Sequence, residues 1–457
     1  MGPGLAFILG SAMLRFYVDI DKLSMDDITL TPKDPRWIGA WWLGYIVTAS
    51  LVAIASIPYF IFPREMRKQV TKENTKETKP SLIDELKHRT ETKEKLRISE
   101  FIKVFPKVLF CTVKNPIFIL VTLAQVNVSA MICGLATFMP KFLERQFSIT
   151  ASFANLLMGS ANVPSAMAGI VLGGIIIKKF CLTPKQCGLF CVIGISLCGL
   201  VAFPLTFLGC STQKFASPQN DFHGSNGIWQ NVTECSSKCG CSSSAFNPVC
   251  GADGTEYISP CYAGCLEVQF SEKDSTVLNY TRCGCASSGS SANPGSCGTG
   301  CYHLFLPFMA LSCLTAALIS VAQTPSAILI LRSTNPSEKS FAIGIQLMLL
   351  RTLGWLPGPV IFGSMIDSTC ILWRKKCGKK TTCLYYDNNL LRQRYIGLIL
   401  VFVLGALLFF IAVFVVLCCK EKKTVEKGDV ANSQEAHDIS PQKNLEVHPL
   451  SDNTSDL

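Results

Sequence analysis

Few side chains in this sequence stand where they could do chemistry. The clearest is Arg351, in Gln346-Leu347-Met348-Leu349-Leu350-Arg351-Thr352. The apolar run continues for more than a helical turn on either side, so the guanidinium lies where a charge is costly and a functional role is the default reading. Its planar fork of donors matches a sulfate or carboxylate, and arginine at such depth faces a cavity more often than it snorkels. The competing reading is a buried ion pair, yet no acid lies inside any of the long apolar segments. A second cation, Lys141, ends another apolar run in Met139-Pro140-Lys141-Phe142-Leu143-Glu144-Arg145, with an interfacial lysine as its plain alternative. Gln125, Asn127 and Gln346 are neutral hydrogen-bonders within such runs, with satisfied packing as theirs. The chemistry this set suits is non-covalent handling of an anion.

Reaction chemistry has no comparable signal. The chain carries no glycine loop ending in Lys and Ser/Thr, no His-Glu-x-x-His and no Gly-x-Ser-x-Gly. Its histidines (His88, His223, His303, His437, His448) are scattered over loops and tail. The expectation is a protein that is not an enzyme, with no cofactor, no metal and no nucleic-acid partner.

The elements that must position these residues are membrane helices. The chain has 457 residues, 49% hydrophobic and 16% charged, against roughly 25% charged in soluble domains. Seven apolar segments can each cross a hydrocarbon layer of about 30 Å: approximately Trp37–Phe62, Ile117–Phe138, Ala151–Ile177, Gly188–Gly209, Leu304–Leu331, Phe341–Ile366 and Tyr395–Cys419. Only helices are expected, since no set of short alternating strands is visible. Pro58, Pro164, Pro204, Pro325, Pro357 and Pro359 interrupt the runs, and the pair in Trp355-Leu356-Pro357-Gly358-Pro359 suggests a hinge. Gly169, Gly173 and Gly174 have small-xxx-small spacing, which reads as close helix packing. A shorter apolar run from Met1 to about Val18 precedes them, without the cationic leader or cleavage site of a signal peptide.

Loop charge sets the expected orientation. Between Arg64 and Lys114 lie 14 Lys/Arg and 8 Asp/Glu, which places this linker in the cytosol. Its middle, Lys68 to Lys95, is expected to be disordered or loosely helical. Alternation then puts Lys178, Lys179, Lys185, Arg332 and Lys339 inside, and loops 210–303 and 367–394 outside. The second outer loop offends the rule with Arg374, Lys375, Lys376, Lys379 and Lys380; its cysteines decide the side.

The first outer loop contains Cys210, Cys235, Cys239, Cys241, Cys250, Cys261, Cys265, Cys283, Cys285, Cys297 and Cys301, which is 11, and the second Cys370, Cys377 and Cys383, which is 3. Each count is odd and the total, 14, is even. Parity therefore suggests a bridge between the loops, and seven disulfides if all are paired. Asn231-Val232-Thr233 and Asn279-Tyr280-Thr281 are glycosylation sequons; Asn127-Val128-Ser129 also matches but lies within an apolar segment and is discounted. The spacing Cys241-x8-Cys250-x6-Tyr257-x3-Cys261-x3-Cys265-x17-Cys283, with Asn247-Pro248-Val249-Cys250-Gly251-Ala252-Asp253-Gly254, resembles a Kazal module. The stretch Ser242-Ser243-Ser244-Ala245-Phe246, where inhibitory relatives present their bait, is one residue longer than usual. A structural cap is favoured over a tethered protease inhibitor.

One string carries a family resemblance. Asp34-Pro35-Arg36-Trp37-Ile38-Gly39-Ala40-Trp41-Trp42-Leu43-Gly44-Tyr45 marks the passage from a polar loop into a membrane helix. Trp37 and Trp41 are expected on one helical face at headgroup depth, and Gly39 and Gly44 at gaps for a neighbouring helix. It resembles the signature of the organic anion transporting polypeptides, departing mildly at Tyr45 and Ile46. The resemblance is nearest to the steroid-sulfate-transporting branch and runs to about Cys419. It implies a fold that is all-α and polytopic, of the major facilitator type, in which Met1 falls late in the fifth of twelve helices, as in a shortened form or an incomplete gene model. It also implies sodium-independent uptake of large amphipathic anions (steroid sulfates, bile acids, thyroid hormones) by alternating access at the plasma membrane. Basic residues near Arg351 and Lys141 are implicated in anion handling among such relatives. A regulatory fragment that does not transport is the further alternative.

The expected division is 1–62, the end of a first helical half; 63–114, a basic cytoplasmic linker; 115–209, three membrane helices; 210–303, the Cys-rich loop; 304–419, three more helices with loop 367–394; and 420–457, a disordered cytoplasmic tail. Cys418 and Cys419 border the inner face, where palmitoylation and inert packing both suit them. The tail ends Ser455-Asp456-Leu457, an ending that PDZ domains capture.

Overall fold

The computed structural model describes residues 2–22, 37–61, 106, 109–110, 112–217, 229–231, 239–242, 246–270, 277–286, 291–298, 300–334, 339–376 and 379–438. Most of the basic linker, Asp34 and Arg36, Cys235 and Cys377, and Ser455 to Leu457 lie outside the described residues.

Among the described residues, one short and seven long helical elements carry the structure. A short apolar helix, α1 (Gly2–Met13), is followed by seven that are long and apolar enough to cross a membrane: α2 (Trp41–Phe60), α3 (Pro116–Phe147), α4 (Ala151–Phe180), α5 (Pro184–Thr206), α6 (Tyr302–Ser333), α7 (Lys339–Asp367) and α8 (Asn388–Lys422, its helix running on to Asp438). The chain is therefore a multi-pass membrane protein. Starts are set locally: Asn115 caps α3 by accepting from the Ile117 N–H, and Thr183 and Gln186 form a capping box ahead of α5, with Pro184 at the first turn.

Helix α3 is the axis of the bundle. Its buried residues run from Ile117 to Phe147, and α6, α7 and α8 pack around it. Near its outer end Phe142 stacks on Tyr395 of α8 at 4.8 Å and on Phe308 of α6 at 5.7 Å. In α4, Gly169 and Gly173 meet the α6 backbone at Ala317 and Val321, where a side chain would have no room. Gly174 is looser, facing only Thr324. Helix α2, by contrast, buries none of its residues, so its apolar surface is left to lipid or to other helices.

Two spans are interrupted alike. Helix α4 contains a π turn at Met158–Asn162 and α7 another at Arg351–Trp355. Each is followed within two residues by a proline, Pro164 and Pro357. Proline donates no hydrogen bond and its ring crowds the preceding turn, so the register widens there: the Val163 N–H reaches Met158 and the Leu356 N–H reaches Arg351, five residues back. The run Trp355 to Pro359, where a hinge is expected, thus begins at the end of a π turn.

The signature string is not helical throughout. Trp37 to Ala40 lie outside the helix, Tyr17 bridges to Gly39, and α2 starts at Trp41. Trp37 and Trp41 therefore do not share a helical face, which corrects that expectation. Trp37 and Trp42 instead donate their indole N–H groups to the carbonyls of Leu14 and Val18, at 3.1 and 2.8 Å. Gly39 lies so close to the Leu14 backbone that a Cβ would fall 2.7 Å from it. Gly44 faces Met13. The string is a clasp between the end of α1 and the start of α2.

Both outer loops fold against each other. Strands β1 (Phe215–Ser217), β2 (Trp229–Asn231), β3 (Val249–Gly251), β4 (Glu256–Tyr257), β5 (Glu267–Phe270), β6 (Val277–Thr281) and β7 (Ser291–Pro294) form one sheet in the order β2-β1-β4-β3-β7-β6-β5. The second loop is a hairpin of β8 (Cys370–Lys376) and β9 (Lys379–Tyr386). Tyr385 stacks on Phe215 at 4.5 Å, and Thr212 donates to Asp387 at 2.7 Å. At the opposite end of the bundle Asn115 donates to the Ser333 carbonyl, Arg332 to that of Leu182, and Lys185 pairs with Glu421. The cations expected inside and the cysteine loops expected outside therefore lie at opposite ends.

The structure pairs Cys210 with Cys301, Cys241 with Cys261, Cys250 with Cys297, Cys265 with Cys283 and Cys370 with Cys383. Cys285 is disulfide-bonded too. Cys239 is free and exposed, which departs from full pairing: Cys261, the sulfur nearest its backbone, is already taken by Cys241. The knot does not close within 241–283, because Cys250 reaches Cys297.

Candidate functional site

Five residues stood as candidates for handling an anion, and the fold sends them to four places. Gln125 of α3 and Gln346 of α7 meet in the interior. Gln346 donates to the Gln125 side-chain oxygen, and Gln125 donates to the Ser326 hydroxyl of α6 at 2.7 Å. All three are buried. They close a polar link across three helices, which makes them packing groups whose hydrogen bonds are satisfied within the bundle. Ser326 itself was not singled out, although the polar break Gln323-Thr324-Pro325-Ser326 in an apolar run marks it.

Asn127, two residues past Gln125, points elsewhere. Its amide donates back to the Leu123 carbonyl at 2.9 Å, and its side chain stands against Gly405 of α8, where a Cβ would come within 2.6 Å of Oδ1. Lys141 forms an ion pair with Glu144 at 3.0 Å, one turn along the outer end of α3. This partner is local and half-exposed, so Lys141 is not a bare charge at the mouth.

Arg351 differs from the rest. It opens the π turn of α7, its side chain is exposed, and it has no ion-pair or side-chain hydrogen-bond partner among the described residues. Leu347, Met348, Trp355 and Leu356 are 51, 58, 49 and 73% exposed around it. Gly354, on the other side of the same turn, fits against Val126 and Ser129 of α3. The turn so presents one guanidinium amid exposed apolar and aromatic surface. A cation with an aromatic neighbour and an apolar surround is what an amphipathic anion requires.

The end of the bundle that carries the cysteine loops is closed by them. Gln146 donates to the Cys210 carbonyl at 2.7 Å and Arg392 to that of Thr206 at 2.9 Å. Arg145 lies over the Tyr386 ring, 5.8 Å from its centroid. Glu256 on β4 is buried; burial pushes its carboxyl up to about 7, against the lowering effects of the Cys297 backbone hydrogen bond and the Arg145 charge. Burial likewise pushes Tyr257 up to about 12, its hydroxyl donating to the Cys285 carbonyl, and raises Tyr385. Of the sequon residues, Asn231 ends β2 and Asn279 lies on β6.

A family model described as Organic Anion Transporter Polypeptide (OATP) family matches residues 1–391. The chain belongs to this family. It is 45% identical over 452 residues to "Solute carrier organic anion transporter family member 2B1" of Rattus norvegicus, covering 95% of this chain and 66% of the relative. It is 44% identical over 449 residues to the protein of that name from Homo sapiens, covering 93% and 63%. To "Solute carrier organic anion transporter family member 1C1" of Mus musculus it is 34% identical over 450 residues, covering 95% and 62%. The chain thus spans just under two thirds of the length of these curated relatives. Within the OATP match fall the Trp37–Gly44 clasp, the cysteine cap and the Arg351 turn.

Proposed function

We propose that this chain forms the second helical half, with the end of the first, of a sodium-independent secondary transporter for large amphipathic organic anions. Steroid sulfates, bile acids and thyroid hormones are the class intended. The observation that carries the reading is Arg351, a guanidinium without a partner among the described residues, on an exposed apolar and aromatic face of α7, in a chain of the OATP family. Movement follows the major facilitator scheme, with two helical halves rocking about a central site so that it opens to each side in turn. The π turns ahead of Pro164 and Pro357 supply the local give such rocking needs. The protein lies in the plasma membrane, with the division at 63–114, 210–303 and 420–457 into inner linker, outer cap and inner tail. Two facing halves enclose a site of this kind, and the chain spans just under two thirds of the length of its relatives.

The cap is proposed as a Kazal-like structural lid. Cys241 and Phe246, which bracket the bait-like stretch, pack with Leu372 and Tyr385 against the Phe215, Ile258 and Tyr262 cluster. Both ends of that stretch are thereby held on the same cluster that takes Leu372 and Tyr385 of the second outer loop.

The test is uptake of a labelled steroid sulfate in cells that express this chain together with the preceding helices of a relative. Uptake that saturates, persists without sodium and is lost in Arg351→Ala at equal surface expression is the expected result. Equal uptake by wild type and Arg351→Ala for several anions would remove Arg351 from the site.

A further inference from the structure

Between Cys370 and Tyr386 the second outer loop carries Arg374, Lys375, Lys376, Lys379 and Lys380 and no acid. The outer side of a membrane protein is where such a run is least expected. The fold builds it into the β8–β9 ribbon, with Lys375 across from Lys380 and Lys376 across from Lys379. Like charges at directly opposed positions destabilise a ribbon, so this one is held by other means. Cys370–Cys383 staples it, and Leu372 and Tyr385 root it in the cap. Arg374, Lys379 and Lys380 are exposed, and none has an ion-pair partner among the described residues. Lys380 rests 5.6 Å from the centroid of the Trp373 ring.

The placement says what such a surface fits. The cations occupy the end of the ribbon farthest from Asp367 and Asn388, where the chain enters its helices. Seven residues of strand reach about 23 Å, and the base of the ribbon is bound to the cap, so the charges sit at the end remote from the helices. Arg374 on β8 and Lys379 and Lys380 on β9 set several separate cations on one ribbon. Such an array suits a chain of repeated anionic groups better than a single small anion.

We infer that the β8–β9 ribbon is a docking surface for a sulfated polysaccharide at the cell exterior. The inference rests on the outward orientation proposed above, which labelling of a hairpin epitope on intact cells reads independently. The binding test uses the purified 457-residue chain in detergent and immobilised heparin at physiological salt. Arg374→Ser/Lys379→Ser/Lys380→Ser should weaken retention roughly tenfold, a sum of several modest surface contacts. Lys114→Ser/Lys178→Ser/Lys179→Ser, which removes equal charge from the opposite end, should leave it unchanged. Desulfated heparin should not retain the wild type. Mass spectrometry after alkylation should find Cys370–Cys383 intact in both variants. Equal loss in both variants would make this net charge alone and overturn the proposal, as would no retention of the wild type. Loss confined to phosphatidylserine vesicles, with heparin binding kept, would assign the ribbon to lipid and overturn it too.

Discussion

Gln346 hydrogen-bonds Gln125 inside the bundle, while Arg351, five residues further along the same helix, stands exposed on another face. Five residues turn an α-helix by well over a full circle, leaving the two side chains on different faces. One face of α7 is thus fastened to α3 and the other is left exposed.

The fastened face predicts a stability effect. Gln346→Leu or Gln125→Leu should each cost about 1–2 kcal/mol, because the amide left behind has no water to turn to. The double variant should cost less than the two singles combined. Thermal unfolding of the purified chain in detergent measures this, and strictly additive losses would show that the pair is not coupled.

Arg351 predicts the opposite pattern. Because its guanidinium touches no partner among the described residues, Arg351→Ala should leave unfolding temperature and surface level near wild type. In the uptake system its loss should remove an interaction worth about 1.5–3 kcal/mol, and Arg351→Lys should return part of it by keeping charge without the fork. Loss of protein from the surface with normal uptake per molecule would assign it a structural role instead.

Glu256 makes the cap pH-dependent. Its folded carboxyl titrates at about 7, above the ordinary value of 4.5, because burial disfavours the charge. A raised acid binds its proton more tightly in the folded state. Its contribution is therefore fully present below about pH 4.5 and is lost as pH rises through about 7, with an upper bound of roughly 3 kcal/mol. Glu256→Gln should flatten this slope and stabilise the cap at pH 8. Proteolysis rates of the outer loops from pH 5 to pH 8 report it; an unchanged slope in the variant would place the titration elsewhere.

The parity bridge between the outer loops needs a particular cut. Cys370–Cys383 already joins the two sides of any break within 371–382, so such a break cannot reveal it. A protease site placed at 335–338, between α6 and α7, separates the two loops. If Cys377 joins the first loop, the halves should stay together on a denaturing gel until reductant is added, and Cys377→Ser should release them. Separation of the wild type without reductant would sink the bridge.

What the sequence alone determined is the list of spans, together with an expectation of which loops share a side. Both follow from composition: about twenty apolar residues cross a bilayer whatever their neighbours, and Lys and Arg sort by side. All seven expected segments coincide with helices, their ends moving by a few residues where Asn115 and Thr183 cap or where Phe147 carries α3 outward. Partnership was not legible there. Gln125 and Asn127 look alike in sequence, two polar residues in one apolar run. Two residues rotate a helix by more than half a turn, so one meets Gln346 and the other Gly405. Trp37 and Trp41, four apart, were equally open to misreading until the backbone from Trp37 to Ala40 proved non-helical, with the Trp37 indole reaching Leu14. Which cysteine meets which is undetermined for the same reason, since spacing limits reach but only the folded chain brings Cys250 to Cys297. Pattern reports the environment a residue seeks; tertiary packing decides which neighbour supplies it.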